Sequence, residues 1–225
     1  MNYKINNRKM KTMINTALGV MLFSLSAVSL KAQNIETSLN AGYKDLQSAT
    51  SIPAMAEANN KFNRIASKWP KEWAANYYAA YANAYIAIKE PDIKRKDQLL
   101  DQAENYLNIM NAIDASNDES LVLTAYVAFS RFLVDPANRW KKYLDIMNTN
   151  LEKAKKVNPD NPRIYYLQGI PIFNKPVLYG GGKKKAKPYF EKAKLLFDKK
   201  RASFSALHPY WGEQENKDYM LKCDN

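Results

Sequence analysis

An all-α chain of stacked helix–turn–helix repeats is the fold class that this sequence predicts, and three observations predict it. Glycine and proline are scarce, 7 and 10 in 225 residues, against 15 Tyr, 8 Met and abundant Ala and Lys, a balance that favours helix over sheet. A three-residue pattern at helical spacing recurs along the chain: Ala58, Phe62 and Ile65; Ala103, Leu107 and Met110; Met147, Leu151 and Ala154; Ala186, Phe190 and Ala193. Its leading positions are separated by 45, 44 and 39 residues. A second series of small residues, Ala80, Ala125 and Gly169, is spaced by 45 and 44 and runs in phase with the first. Two series in phase are what paired helices require, the small residue of one helix allowing its neighbour to approach closely.

The elements follow from caps and breakers. Residues 1–32 have the layout of a secretory signal: Lys4, Arg8, Lys9 and Lys11, then an apolar run from Ala17 to Leu30, then Leu30-Lys31-Ala32. Cleavage after Ala32 is expected. The alternative, a retained membrane anchor, has an apolar run short of the ~20 residues that cross a bilayer. The mature product is therefore expected to be periplasmic or secreted, with no integral membrane segment after cleavage. Residues 33–52 read as an ill-defined lead-in with room for a short helix. Pro53 is placed to open a helix over 53–67, and helices are expected over 70–89, 95–113, 118–133, 137–157, 162–173 and 184–200. Asn161 before Pro162 is a strong start, a capping side chain followed by a residue fixed near helical φ. Pro209-Tyr210-Trp211-Gly212 precedes a last helix over 211–222. The domain plan is a repeat region over 53–203 and a capping helix within 204–225, about seven to nine helices in all.

Charge narrows the partners. The chain carries a formal +12, which falls to +7 without residues 1–32, since these hold five basic residues and no acid. Residues 151–201 contain fourteen Lys or Arg against Glu152, Asp160, Glu191 and Asp198. In an exported protein such an excess meets anionic lipid, polysaccharide or acidic peptide rather than nucleic acid. The plainer reading is a solvated face on amphipathic helices.

Catalytic constellations fail on supply. His208 is the one histidine and Cys223 the one cysteine, so a Cys/His zinc site is absent and a Cys/His nucleophile would need both to converge. No metal-binding or catalytic motif is found. His208, before Pro209, reads as a turn or packing residue. Cys223 reads as a residue packed under the last helix, with a free thiol or an intermolecular disulfide as alternatives. The protein is expected not to be an enzyme and to need no metal or cofactor.

In Tyr165 with Gly169, then Ala186, Phe190 and Ala193, with Pro70 and Pro159 at repeat ends, the chain resembles the tetratricopeptide repeat family over roughly residues 53–200. Its spacing near 45 departs from that family's 34. The run NPDNPRIYYLQG, the segment KAKPYFEKA and the late PYWG are similar to small exported bacterial proteins of this type, including periplasmic subunits that accompany some solute transporters. The resemblance implies an α-solenoid whose first helices line a concave face where partners dock. Tyr77, Tyr81 and Tyr85 recur there at i, i+4 and i+8. The same register gives Val122, Tyr126 and Phe129 or Ser130, then Tyr166, Ile170 and Phe173 or Asn174, with Glu119, Arg131, Arg163 and Asn174 at or near the polar edge. Whether this stripe is groove or core is left open. Two functions are expected from it. One is a scaffold that binds a peptide or protein segment of the cell envelope in the aromatic groove; the other is a small-ligand accessory subunit of a transport system.

The stretch from Val177 to Ala193, VLYGGGKKKAKPYFEKA, looks at first like a phosphate loop. A P-loop requires Gly at 177 and Ser or Thr at 184; the chain has Val177 and Lys184. The glycines fit a joint between the two helices of the last repeat. Lysines at a helix start oppose the helix dipole, which leaves an anion held by Gly181, Gly182 and Lys183 as a minor expectation.

Overall fold

In the computed structural model, residues 35–200 and 207–224 are described; the expected signal segment 1–32 lies outside them. Helix α1 covers 35–48, followed by α2 (Ile52–Lys68), α3 (Trp73–Lys89), α4 (Ile93–Asp114), α5 (Asp118–Val134), α6 (Pro136–Val157), α7 (Pro162–Asn174), α8 (Lys183–Lys200) and α9 (Glu213–Asp224). A single 3-10 turn, Val177–Tyr179, lies between α7 and α8, and there is no strand among the described residues. The fold is all-helical and repeat-like. Helices α3 with α4, α5 with α6 and α7 with α8 pack as hairpins, and the first members α3, α5 and α7 touch one another in sequence.

The helix starts are chemically determined. Ser51, Asp92, Asn117, Asp135 and Asn161 each accept a hydrogen bond from a first-turn amide: those of Ala54, Arg95, Glu119, Asn138 and Arg163 respectively. Each satisfies a donor that the helix itself leaves unpaired. Two starts come later than the sequence predicts. α3 begins at Trp73, not 70, because the Asn76 amide donates to the carbonyls of Pro70 and Glu72 at 2.9 Å and holds residues 70–72 as a turn. α9 begins after Gly212, whose φ of 95° is left-handed and interrupts any helix from 211.

All twelve positions of the repeating pattern are buried. Two of them, Phe62 and Phe190, meet a glycine of the companion helix closely. A Cβ on Gly169 would lie 2.6 Å from the Phe190 ring, and a Cβ on Gly42 would lie 3.0 Å from the Phe62 ring. The segment read as a lead-in is thus the first helix of the first pair: Ile35, Leu39, Gly42 and Leu46 form its buried face.

Candidate functional site

The face formed by the first helices is aromatic, as the i, i+4, i+8 spacing predicts, and it is closed by the chain's own C-terminal segment. Trp211, 2% exposed, touches three successive first helices. Its ring stacks on Tyr81 of α3 at 5.0 Å, meets Tyr126 of α5 at 5.0 Å and meets Tyr166 of α7 edge-on at 6.5 Å. Its indole N–H donates to the Tyr77 hydroxyl at 2.7 Å, so the one polar atom of the side chain is satisfied.

A buried charge holds the segment in place. The Arg163 guanidinium lies 5.3 Å from the centre of the Trp211 ring, donates to Glu119 Oε1 at 2.8 Å, and donates to the carbonyl of Pro209. Asn161 donates to the same Glu119 oxygen at 2.8 Å. Tyr78 donates its hydroxyl to the carbonyl of His208 at 3.3 Å. Such an ion pair is tolerated away from water because each partner has further hydrogen bonds. Burial pushes the phenols of Tyr77, Tyr78, Tyr81, Tyr126 and Tyr166 well above their ordinary value, since the phenolate would lose its hydration.

The expected site residues divide into five groups. Tyr77, Tyr81, Tyr126, Tyr166 and Arg163 converge on Trp211. Tyr85 is half-buried at the edge, against Tyr81 at 5.7 Å with the Lys89 amine over its ring. Phe173 serves the docking of α9, meeting Tyr219 edge-on at 5.1 Å, while the Asn174 side-chain amide at the end of α7 donates to the Ile170 carbonyl at 2.9 Å. Phe129 is buried against Phe132, apart from Trp211. Arg131 belongs elsewhere, in a cluster with Asp97, Asp101 and Glu104.

The C-terminal segment does more than cap. Tyr219 stacks on Phe190 at 5.0 Å and the Asn216 amide donates to the Phe190 carbonyl at 3.0 Å, which covers the last pair; residues 208–211 then cross the face of the first helices. Trp211 and Tyr43 escape the sequence reading as site residues. Tyr43 sits on α1, packed on Tyr210 at 4.1 Å. A cavity of about 190 Å³ opens beside this pair, lined also by Gln47, Glu213, Glu215 and Lys217.

Gly181, Gly182 and Lys183 stand in a separate place. The backbone folds tightly there: Gly180 and Gly182 have φ of 81° and 97°, and a Cβ on Gly181 would lie 2.2 Å from the Lys175 carbonyl oxygen. Each glycine is therefore required. Lys185 and Ala186 donate their amides to the Gly182 carbonyl at 3.1 Å, opening α8, and the lysine side chains at 183–185 are exposed.

No protein-family model matches the chain, and no curated protein matches it either. Among solved structures it is similar to the HusA haemophore from Porphyromonas gingivalis, with 31% identity, a TM-score of 0.70, and coverage of 85% of this chain and 92% of that one. An identity of this level, sustained over nearly the whole of the other chain and accompanied by the same helical fold, means that the protein belongs to the family of that haemophore.

Proposed function

We propose that the protein is an exported, non-enzymatic binding protein whose ligand is of the haem class: a planar, largely apolar ring carrying carboxylates. The observation that carries this is the 31% identity over 92% of a haemophore chain. Export rests on the leader read in residues 1–32, and the tetratricopeptide-like reading of the scaffold is part of the same proposal. The chemistry of the first-helix face supports it. Stacked aromatic rings supply apolar area, Arg163 supplies a cation for a carboxylate, and phenols or His208 supply iron-ligating atoms.

Seating such a ligand requires movement. The cavity beside Tyr43 and Tyr210, at about 190 Å³ with Glu213 and Glu215 on its wall, is too small and too acidic for a dianionic macrocycle. Residues 208–211 must therefore lift from Tyr81, Tyr126 and Tyr166 so that the ligand replaces the Trp211 ring. Haemin titration followed by visible absorbance tests this. A saturable shift is expected in the wild-type protein, with tighter binding in Trp211→Ala and in the milder Tyr78→Phe, where less holds the segment down. Absence of a saturable shift sinks the proposal.

A second reading is favoured by one observation: this face already holds an extended aromatic peptide, its own residues 208–211, through bonds to the His208 and Pro209 carbonyls. Main-chain recognition plus an aromatic anchor is how a peptide groove works. A synthetic peptide of residues 207–224, added to a chain ending at residue 200, is expected to bind; no binding removes this reading.

A further inference from the structure

We propose that the turn between α7 and α8 is a docking knob for an anionic lipid bilayer, a surface distinct from the aromatic face. Val177, Leu178 and Tyr179 are 79%, 87% and 68% exposed, three consecutive large apolar side chains standing in water. They do not stand there through slackness. The Tyr179 and Gly181 amides donate to the Pro176 carbonyl, Gly180 donates to Val177, and Gly182 donates to Ile172, at 2.9–3.1 Å. Three glycines that no other residue can replace without strain or clash make that backbone. The result is a fixed, outward display of apolar groups.

The surroundings select the partner. Lys175, Lys183, Lys184 and Lys185 flank the knob, all exposed, and none forms an ion pair among the described residues. The Lys185 amine lies over the turn, 3.6 Å from where a Cβ on Gly180 would stand. No Asp or Glu occurs in the sequence from 161 to 190. A small planar ligand is held by enclosure on both faces, which side chains this exposed do not offer. A stable protein interface covers about 800 Å² on each partner, far more than three side chains supply. A bilayer asks for neither: it takes a few apolar groups into the headgroup boundary while lysines meet anionic headgroups, with tyrosine suited to the interface itself. Two weak signals together give reversible attachment.

Co-sedimentation of the full chain with vesicles of phosphatidylglycerol and phosphatidylcholine tests this, with pure phosphatidylcholine vesicles as the uncharged control. Binding is expected to the anionic vesicles alone. A lysine near an anionic surface is worth about a fivefold factor in partitioning, so K183Q/K184Q/K185Q should bind about a hundredfold more weakly. The charge-matched K153Q/K155Q/K156Q on α6 should bind nearly as the wild type does. V177S/L178S/Y179S should lose binding more than tenfold with all its charges kept, and Leu178→Glu alone should reproduce most of that loss. Failure of the wild type to sediment with anionic vesicles overturns the proposal. So does equal loss in the two lysine triples, which would reduce the effect to overall basicity, or undiminished binding by the serine triple. Haemin affinity is expected to be unchanged in the serine triple, so this proposal and the proposed ligand function fail independently.

Discussion

Two regions of this molecule are rich in apolar side chains, and they are treated in opposite ways. On the face of the first helices, Tyr77, Tyr81, Tyr126 and Tyr166 are at most 6% exposed, although their spacing would suit an open groove. At the turn between α7 and α8, Val177, Leu178 and Tyr179 face water although nothing in their spacing demands it. The difference lies in what the rest of the chain brings to each. Trp211 arrives at the first from 77 residues beyond the end of α5 in sequence and fills it, with a buried Arg163–Glu119 pair fixing the approach. No described segment covers the second, and its glycines and lysines keep it both rigid and charged. Apolar content alone does not decide exposure; what the rest of the fold lays over it does.

Removing Trp211 is the most severe way to break this contrast. Trp211→Ala vacates a fully packed site, and losses of about 3–5 kcal/mol are usual for such a truncation. Thermal or urea unfolding should show it, whereas V177S/L178S/Y179S should lie within about 0.5 kcal/mol of wild type. A serine triple as damaging as the tryptophan variant would mean that the turn is packed, not displayed. In alkali the same contrast has a sign. The phenols around Trp211 have pKa values raised above the ordinary value near 10. Their contribution to stability is complete below that pH and is lost as pH rises past it, because the unfolded state then releases protons that the folded state retains. Absorbance at 295 nm should therefore show these phenols ionising together with unfolding, and earlier in Trp211→Ala than in wild type.

Much of the fold is legible in the sequence, because burial in a repeat is periodic. The pattern Ala58/Phe62/Ile65 and its three later copies is buried throughout. The register hides a volume exchange: Phe62 and Phe190 face Gly42 and Gly169, whereas Leu107 and Leu151 occur in the repeats that carry Ala80 and Ala125. Helix α1 reads in the sequence only as room for a short helix, because Leu39, Gly42 and Leu46 are too few to establish a period next to an apparent leader. The site was less legible still. PYWG marks a turn in sequence, but that its tryptophan reaches Tyr77 is a contact across 134 positions, set by the path of the chain and not by any local pattern. Display of Val177 to Tyr179 was hidden for the converse reason: a GGG joint says that the chain bends, not what it exposes.

Glycines in the two regions sharpen the contrast at an intermediate cost. Gly169 needs its missing side chain for room, and Gly180 for its backbone angle. Gly169→Ala forces a Cβ to 2.6 Å from the Phe190 ring and should cost about 1–3 kcal/mol. Phe190→Leu should recover part of it, as the Ala and Leu of the middle repeats suggest, in a double-mutant cycle with a coupling above about 0.5 kcal/mol. Gly180→Ala meets only the Lys185 amine, at an ordinary contact distance of 3.6 Å, but keeps φ at 81°, so about 1–2 kcal/mol is expected. No neighbouring truncation should relieve that cost, whereas Asn, which tolerates the left-handed region, should be milder. Rescue of Gly180→Ala by shortening Lys185 would show that space, not angle, governs the turn.

The smallest effect concerns charge, where the two regions are joined by a third. The lysines beside the turn have no partners among the described residues, but Asp97 on α4 is held by two arginines. Arg139 donates to both of its oxygens at 2.7 and 2.9 Å, and Arg131 donates to Oδ1 at 2.7 Å. The hydrogen bonds from Arg139 first, then those from Arg131, hold the Asp97 carboxyl below its usual range against the opposing effect of burial. A lowered carboxyl pKa stabilises the fold above the unfolded value near 4, and that stability is lost as pH falls through the lowered folded value. With its side chain 30% exposed, the pair is worth no more than about 1 kcal/mol after solvent screening. Asp97→Asn should therefore be slightly less stable than wild type at pH 7 and equal to it in strong acid, in urea unfolding at each pH. K183Q/K184Q/K185Q should show no such acid-dependent difference, because those lysines attract a surface and hold nothing in the fold. A stability change in the lysine triple as large as that in Asp97→Asn would place its charges in the fold, and would take from the turn the freedom on which its docking role depends.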